Sequence, residues 1–152
     1  MDLGDHVVKR LTRHDVETAD LVLTATREHR AEVVRMLPQA ASRVFTLKEF
    51  ARVGVELDAD DVAANAEDDP LRSLVGSASL LRGSASRPAT PDRDDVPDPF
   101  GRHRSVHRRA AAEIDAATRS IEAIFSGAVS AACHRPGPGR PPDALSSSPL
   151  RS

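Results

Sequence analysis

DLVLTA, at positions 20–25, is the stretch on which the fold turns. Leu21, Val22 and Leu23 are consecutive apolar residues rather than alternating ones. Strict alternation marks a strand with one wet face. A short continuous run marks a strand covered on both faces, as in a parallel sheet with helices above and below it. Upstream, Thr12 with Asp15 three places on is a start signal for a short helix over 12–19. Downstream, Thr26 is placed to cap a helix over REHRAEVVRML, where Arg30, Val33, Val34 and Leu37 share a face and Pro38 lies at the end. VFTL, from Val44 to Leu47, is a second strand candidate. Helix, strand, helix, strand is the rhythm of an α/β unit.

Further along, the patterns weaken. Glu56, Asp58, Asp60, Asp61, Glu67, Asp68 and Asp69 make 56–69 an acidic stretch, expected to be a solvated loop or frayed helix. Leu71, Leu74 and Val75 support a weak helix over 70–82. GSASRPATPDRDD, at 83–95, has the composition of a flexible linker. The best helical periodicity lies over 106–125, where Val106, Ala110, Ile114, Ala117, Ile121, Ile124 and Phe125 recur three and four apart. The pattern stops near Ser126. The Pro-, Gly- and Ser-rich remainder, 126–152, is expected to be disordered.

Bulk properties narrow the function classes. Net charge is −2, with 21 basic and 23 acidic residues, which argues against a dedicated nucleic-acid or membrane-surface protein. No apolar run approaches the roughly 20 residues of a membrane helix, and the N-terminus has no apolar signal-peptide core, so a cytoplasmic location is expected. Cys133 is the single cysteine, which leaves no internal disulfide and no cysteine metal cluster. His103 and His107 are four apart, a ligand-like spacing, but no further ligand is spaced to complete a metal site. Lys9 and Lys48 are the only lysines; every other basic residue is arginine.

Three stretches in order carry a family resemblance: RLTRHDVETADLVLTATREHR (10–30), VFTLKEF (44–50) and DDVPDPFGRHRSVHRRAAAEIDAATRSIEAIF (94–125). Together they resemble the second half of bacterial low-molecular-weight protein-tyrosine phosphatases. The resemblance implies an α/β fold, the C-terminal portion of a doubly wound parallel sheet, over residues 1–125, with the first two strands and the nucleophile loop missing. It implies hydrolysis of phosphotyrosine in a protein, or of a small aryl phosphate, through a cysteinyl-phosphate and with no metal or organic cofactor. It places Asp98 as the general acid of the DP loop and Phe100 as a substrate-contact candidate. The chemistry of the setting suits this, because Pro97 and Pro99 hold Asp98 in extended backbone and Phe100 offers apolar surface to an aryl ring.

The departure from the family is at the nucleophile. No cysteine precedes Cys133, and Arg140 follows it at seven residues, one more than the Cys-x-x-x-x-x-Arg loop requires. Pro136 and Pro138 remove amide donors from any phosphate cradle there. The chain as given is therefore expected to be N-terminally truncated relative to the family and inactive alone. A non-catalytic binding module, a non-functional gene remnant and an arsenate reductase-like relative remain open beside the phosphatase reading.

Overall fold

The computed structural model describes residues 10–64, 69–85, 88–97 and 104–134. The fold is α/β, mostly helical, around a two-stranded parallel sheet. Helix α1 (Arg13–Thr18) opens with a capping box. The Thr12 hydroxyl accepts from the Asp15 amide, and the Asp15 carboxylate accepts from the Thr12 amide. Strand β1 (Val22–Thr24) follows, then α2 (Arg27–Met36), capped by the Thr26 hydroxyl through the His29 amide. A 3-10 turn (Pro38–Arg43) leads into β2 (Val44–Thr46). The strands pair in register Val22–Val44, Leu23–Phe45 and Thr24–Thr46.

Side-chain alternation along β2 divides the core. Val44 faces α1 and α2, where it packs with Val16, Val22, Val33 and Leu37. Phe45 faces the other way, into Phe50, Val53, Val75, Ala117 and Ile121. Both residues are fully buried, so β2 is covered on both faces. Phe45 and Phe50 meet edge to face with centroids 5.1 Å apart, a geometry that adds about 1 kcal/mol beyond burial. β1 departs from the expectation of two covered faces: Val22 is buried, but Leu23 is 36% exposed.

VFTLKEF is not strand throughout. The strand ends at Thr46, and α3 (Leu47–Val55) starts at once. Thr46 and Glu49 form a second capping box, with the Glu49 amide donating to the Thr46 hydroxyl at 3.1 Å and the Thr46 amide to Glu49 Oε2 at 3.3 Å. Glu49 is only 5% exposed. Its charge is matched by Arg30 Nη1, 3.0 Å from both carboxylate oxygens, and by Arg82 Nε, an ionic contact at 3.3 Å. Burying a carboxylate without such partners is costly. Arg82 also lies 3.7 Å over the Phe45 ring and donates to the carbonyls of Ala41 and Val44.

The acidic stretch holds a short helix, α4 (Ala59–Ala64), because Val62 and Ala63 are buried on one side while Asp60 and Asp61 face solvent. Helix α5 (Pro70–Leu81) has Pro70 in its first turn and Asp69 as its cap. Helix α6 (Arg104–Cys133) packs across α3, α4 and α5. It outruns the expected end at Phe125 by two turns. Ser126 to Cys133 is rich in alanine, the best helix former, and Ala128 is buried against Val62 and Leu74. The expected boundary at 125/126 is thus displaced; residues 135–152 lie outside the described ones. Ile114, expected on the core face of α6, is 43% exposed. The buried line is Ala110, Ala117, Ile121 and Ala128. No helix among the described residues is long and apolar enough to cross a membrane.

Candidate functional site

The segment expected to be a free linker is tied down over its second half. After a 3-10 turn (Pro91–Asp94), residues 94–97 cross the carboxyl ends of both strands. The Val96 amide donates to the carbonyl of Ala25, the residue just beyond β1, at 2.9 Å. The hydroxyl of Thr46, the last residue of β2, donates to the Asp94 carbonyl at 2.7 Å. Composition alone suggests a linker here because the residues are small and polar. The anchors are long-range and do not register in composition.

Three further cations complete the seat. Arg52 makes a forked pair with the Asp94 carboxylate, Nε to Oδ1 at 3.2 Å and Nη2 to Oδ2 at 3.0 Å. Asp95 sits on the N-terminus of α2, its Oδ1 accepting from the Arg27 amide at 2.7 Å. The Arg27 guanidinium grips the same carboxylate, Nη2 to Oδ2 at 3.0 Å, and reaches Asp92 at 2.6 Å. Lys48 Nζ donates to the Asp95 carbonyl at 3.2 Å and to Glu113 Oε2 on α6 at 2.9 Å. Arg109 donates to the other Glu113 oxygen at 2.9 Å.

These contacts decide which carboxylates can act as acids. Burial works to raise the Asp95 pKa, but hydrogen bonds and charge from Arg27 outweigh it and hold the group below its ordinary value. Glu113 is likewise lowered, first by its hydrogen bond from Arg109 and then by that from Lys48. A general acid must carry a proton near neutrality. Asp95 and Glu113 are held toward the ionised form by their cationic partners, and the Asp94 carboxylate is engaged by Arg52. Each of the three is an anchor.

Asp98 and Phe100, the site residues expected from the sequence, lie outside the described residues, as does His103. The described chain ends at Pro97, directly after the anchored stretch, and resumes at Arg104. Cys133 is exposed on the last turn of α6 and follows a helix, not a buried strand. His29 is exposed and bonds the cap hydroxyl of Thr26 through Nδ1 at 3.0 Å. Among the described residues, no group of three or more His, Cys, Asp or Glu side chains is placed to hold a metal ion.

A recess of about 430 Å³ on α2 is lined by Arg27, Arg30, Ala31, Val34 and Arg35. Its positive charge is already partly spent, because Arg27 holds Asp92 and Asp95 and Arg30 holds Glu49. The anchoring residues Arg27, Thr46, Lys48 and Arg52 were not singled out by sequence reasoning. One local signal existed: Thr46 and Glu49 repeat the Thr-x-x-acid pattern of Thr12 and Asp15. In comparison with family models, curated proteins and solved structures, no match to this chain is found.

Proposed function

We propose that this chain is a homologue of the low-molecular-weight protein-tyrosine phosphatases, contributing the acid loop of a phosphate-monoester hydrolase. Asp98 is the general acid and Phe100 the side chain that meets the aryl group. The observation that carries the reading is the seat of residues 94–97 across the carboxyl ends of two parallel strands. In open α/β sheets ligands bind outside those ends. Residues 94–97 are fixed there, and the next residue in the sequence after Pro97 is Asp98. The resemblance of three ordered stretches supports the same reading, and so does the engagement of Asp94 and Asp95, which leaves Asp98 as the acid of the DVPDPFG loop.

In this mechanism Asp98 protonates the leaving tyrosyl oxygen as the phosphoryl group passes to a cysteine thiolate. It then takes a proton from the water that hydrolyses the cysteinyl-phosphate. The sequence holds no cysteine ahead of Cys133, so the thiolate and the phosphate cradle have to come from another segment. The same fact favours a second reading, a non-catalytic module that uses this half-fold to bind a partner.

Fusion to a family N-terminal half bearing the Cys-x-x-x-x-x-Arg loop separates the two readings. The acid-loop reading predicts that the fusion hydrolyses an aryl phosphate while the 152-residue chain alone stays at background. A well-folded fusion without activity favours the binding module. Hydrolysis by the chain alone, abolished in Cys133→Ser, contradicts both.

A further inference from the structure

The first turn of α3 grips two consecutive backbone carbonyls of the anchored segment. Thr46 Oγ1 takes that of Asp94 at 2.7 Å, and Lys48 Nζ takes that of Asp95 at 3.2 Å. Lys48 then reaches Glu113 on α6 at 2.9 Å. Its side chain is 24% exposed and that of Glu113 23%, so the bridge is largely shielded from screening. Where this site needs a fork against a single carboxylate, the chain uses Arg27 and Arg52. Where it needs one cation to satisfy a carbonyl and a carboxylate on different elements, it uses one of its two lysines. A compact ammonium with three rotatable donors suits that demand.

We propose that Lys48 is the positioning residue of this loop: it fixes the Asp95 carbonyl against α6 and thereby holds residues 94–97 across the strand ends. That this hold serves the acid role of Asp98 rests on the function proposed above. The grip itself does not.

The test is backbone amide exchange in the full chain, comparing wild type with Lys48→Met, which keeps the stem and removes the charge. The reporters are the amides of Val96, bonded to Ala25, and of Arg27, bonded to Asp95. The controls are Arg30, bonded to Thr26, and Leu37, bonded to Val33. In Lys48→Met the reporters exchange about tenfold faster or more, while the controls keep their rates, as expected when one local unit opens. Lys48→Arg restores part of the protection, because it keeps the charge but not the geometry. Unchanged reporters, or reporters and controls rising together, overturn the proposal. If Lys48→Met does not fold, Glu113→Gln is read instead: it cuts the same bridge from α6 and should speed Val96 exchange, and no change there is equally fatal. Failure of the acid role of Asp98 would show only in turnover, with the Val96 effect intact, so the two failures are distinguishable.

Discussion

The Thr46 hydroxyl serves two structures at once: it accepts from the Glu49 amide at 3.1 Å, starting α3, and donates to the Asp94 carbonyl at 2.7 Å, fixing the segment that crosses the strand ends. Thr46 is fully buried, so neither partner has water to fall back on. Replacement by valine keeps the shape and removes both bonds. Thr46→Val should destabilise the chain by about 2 kcal/mol, combining a lost cap with an unpaired buried carbonyl, and Thr46→Ser should recover most of it. Urea denaturation measures both, and a Thr46→Val midpoint equal to wild type would refute the dual role.

Helices α3 and α6 approach closely at Gly54. A Cβ built there would stand 2.6 Å from Ile124 Cδ1 and 3.4 Å from Cγ1 and Cγ2. A methyl group can be absorbed by a turn of the Ile124 tip, but a larger side chain cannot. Gly54→Leu should cost about 2 kcal/mol by overpacking and lower the melting temperature. An unchanged melting temperature would mean that the two helices do not pack as described.

Carrying α6 past Phe125 has an energetic consequence. Ala128 is 1% exposed and sits against Val62 and Leu74. Ala128→Asp puts an unpaired charge into that contact and should cost about 3 kcal/mol, the upper end for ordinary substitutions. Ser126→Asp, at an exposed position of the same helix, should change stability by no more than about 0.5 kcal/mol. Equal small effects at both sites would place the end of the helix back near 125.

Acid should loosen the anchored segment. Asp95 and Glu113 both lie below their ordinary values of 3.8 and 4.5. A carboxylate lowered in the folded state stabilises it above the unfolded pKa, and that contribution disappears as pH falls through the folded value. The melting temperature should hold from neutrality down to about pH 5 and then fall, with part of the loss removed in Glu113→Gln. A flat profile down to about pH 3 would show that these ion pairs carry no stability.

What could be read in the sequence follows from the range of each interaction. The caps at Thr12 and Thr26 and the strands at Val22 and Val44 are local patterns, and the structure holds all of them, although only Val22 of the run Leu21–Leu23 is buried. The signal for helix α3 is equally local, but the β-branched and aromatic start of VFTLKEF masks the capping pair Thr46 and Glu49 inside it. The seat of Asp94 and Asp95 is a different matter. Its partners Arg27, Thr46, Lys48 and Arg52 are far away along the chain, so only folding reveals it. The final turns of α6 escaped because alanine gives little hydrophobic periodicity, although Ala128 packs well against a close neighbour. Asp98 and Phe100, the residues to which the proposal gives the chemistry, lie outside the described residues and are read from sequence alone.

The acid role of Asp98 is tested most directly by leaving-group dependence in the fusion that supplies the nucleophile loop. Expelling a tyrosyl oxygen, with a parent pKa of about 10, needs a proton, whereas an activated aryl oxide leaves without one. Asp98→Asn should slow turnover of the poor leaving group by about 10² to 10⁴ and that of the activated one far less. Equal turnover of wild type and Asp98→Asn on both substrates would contradict the account.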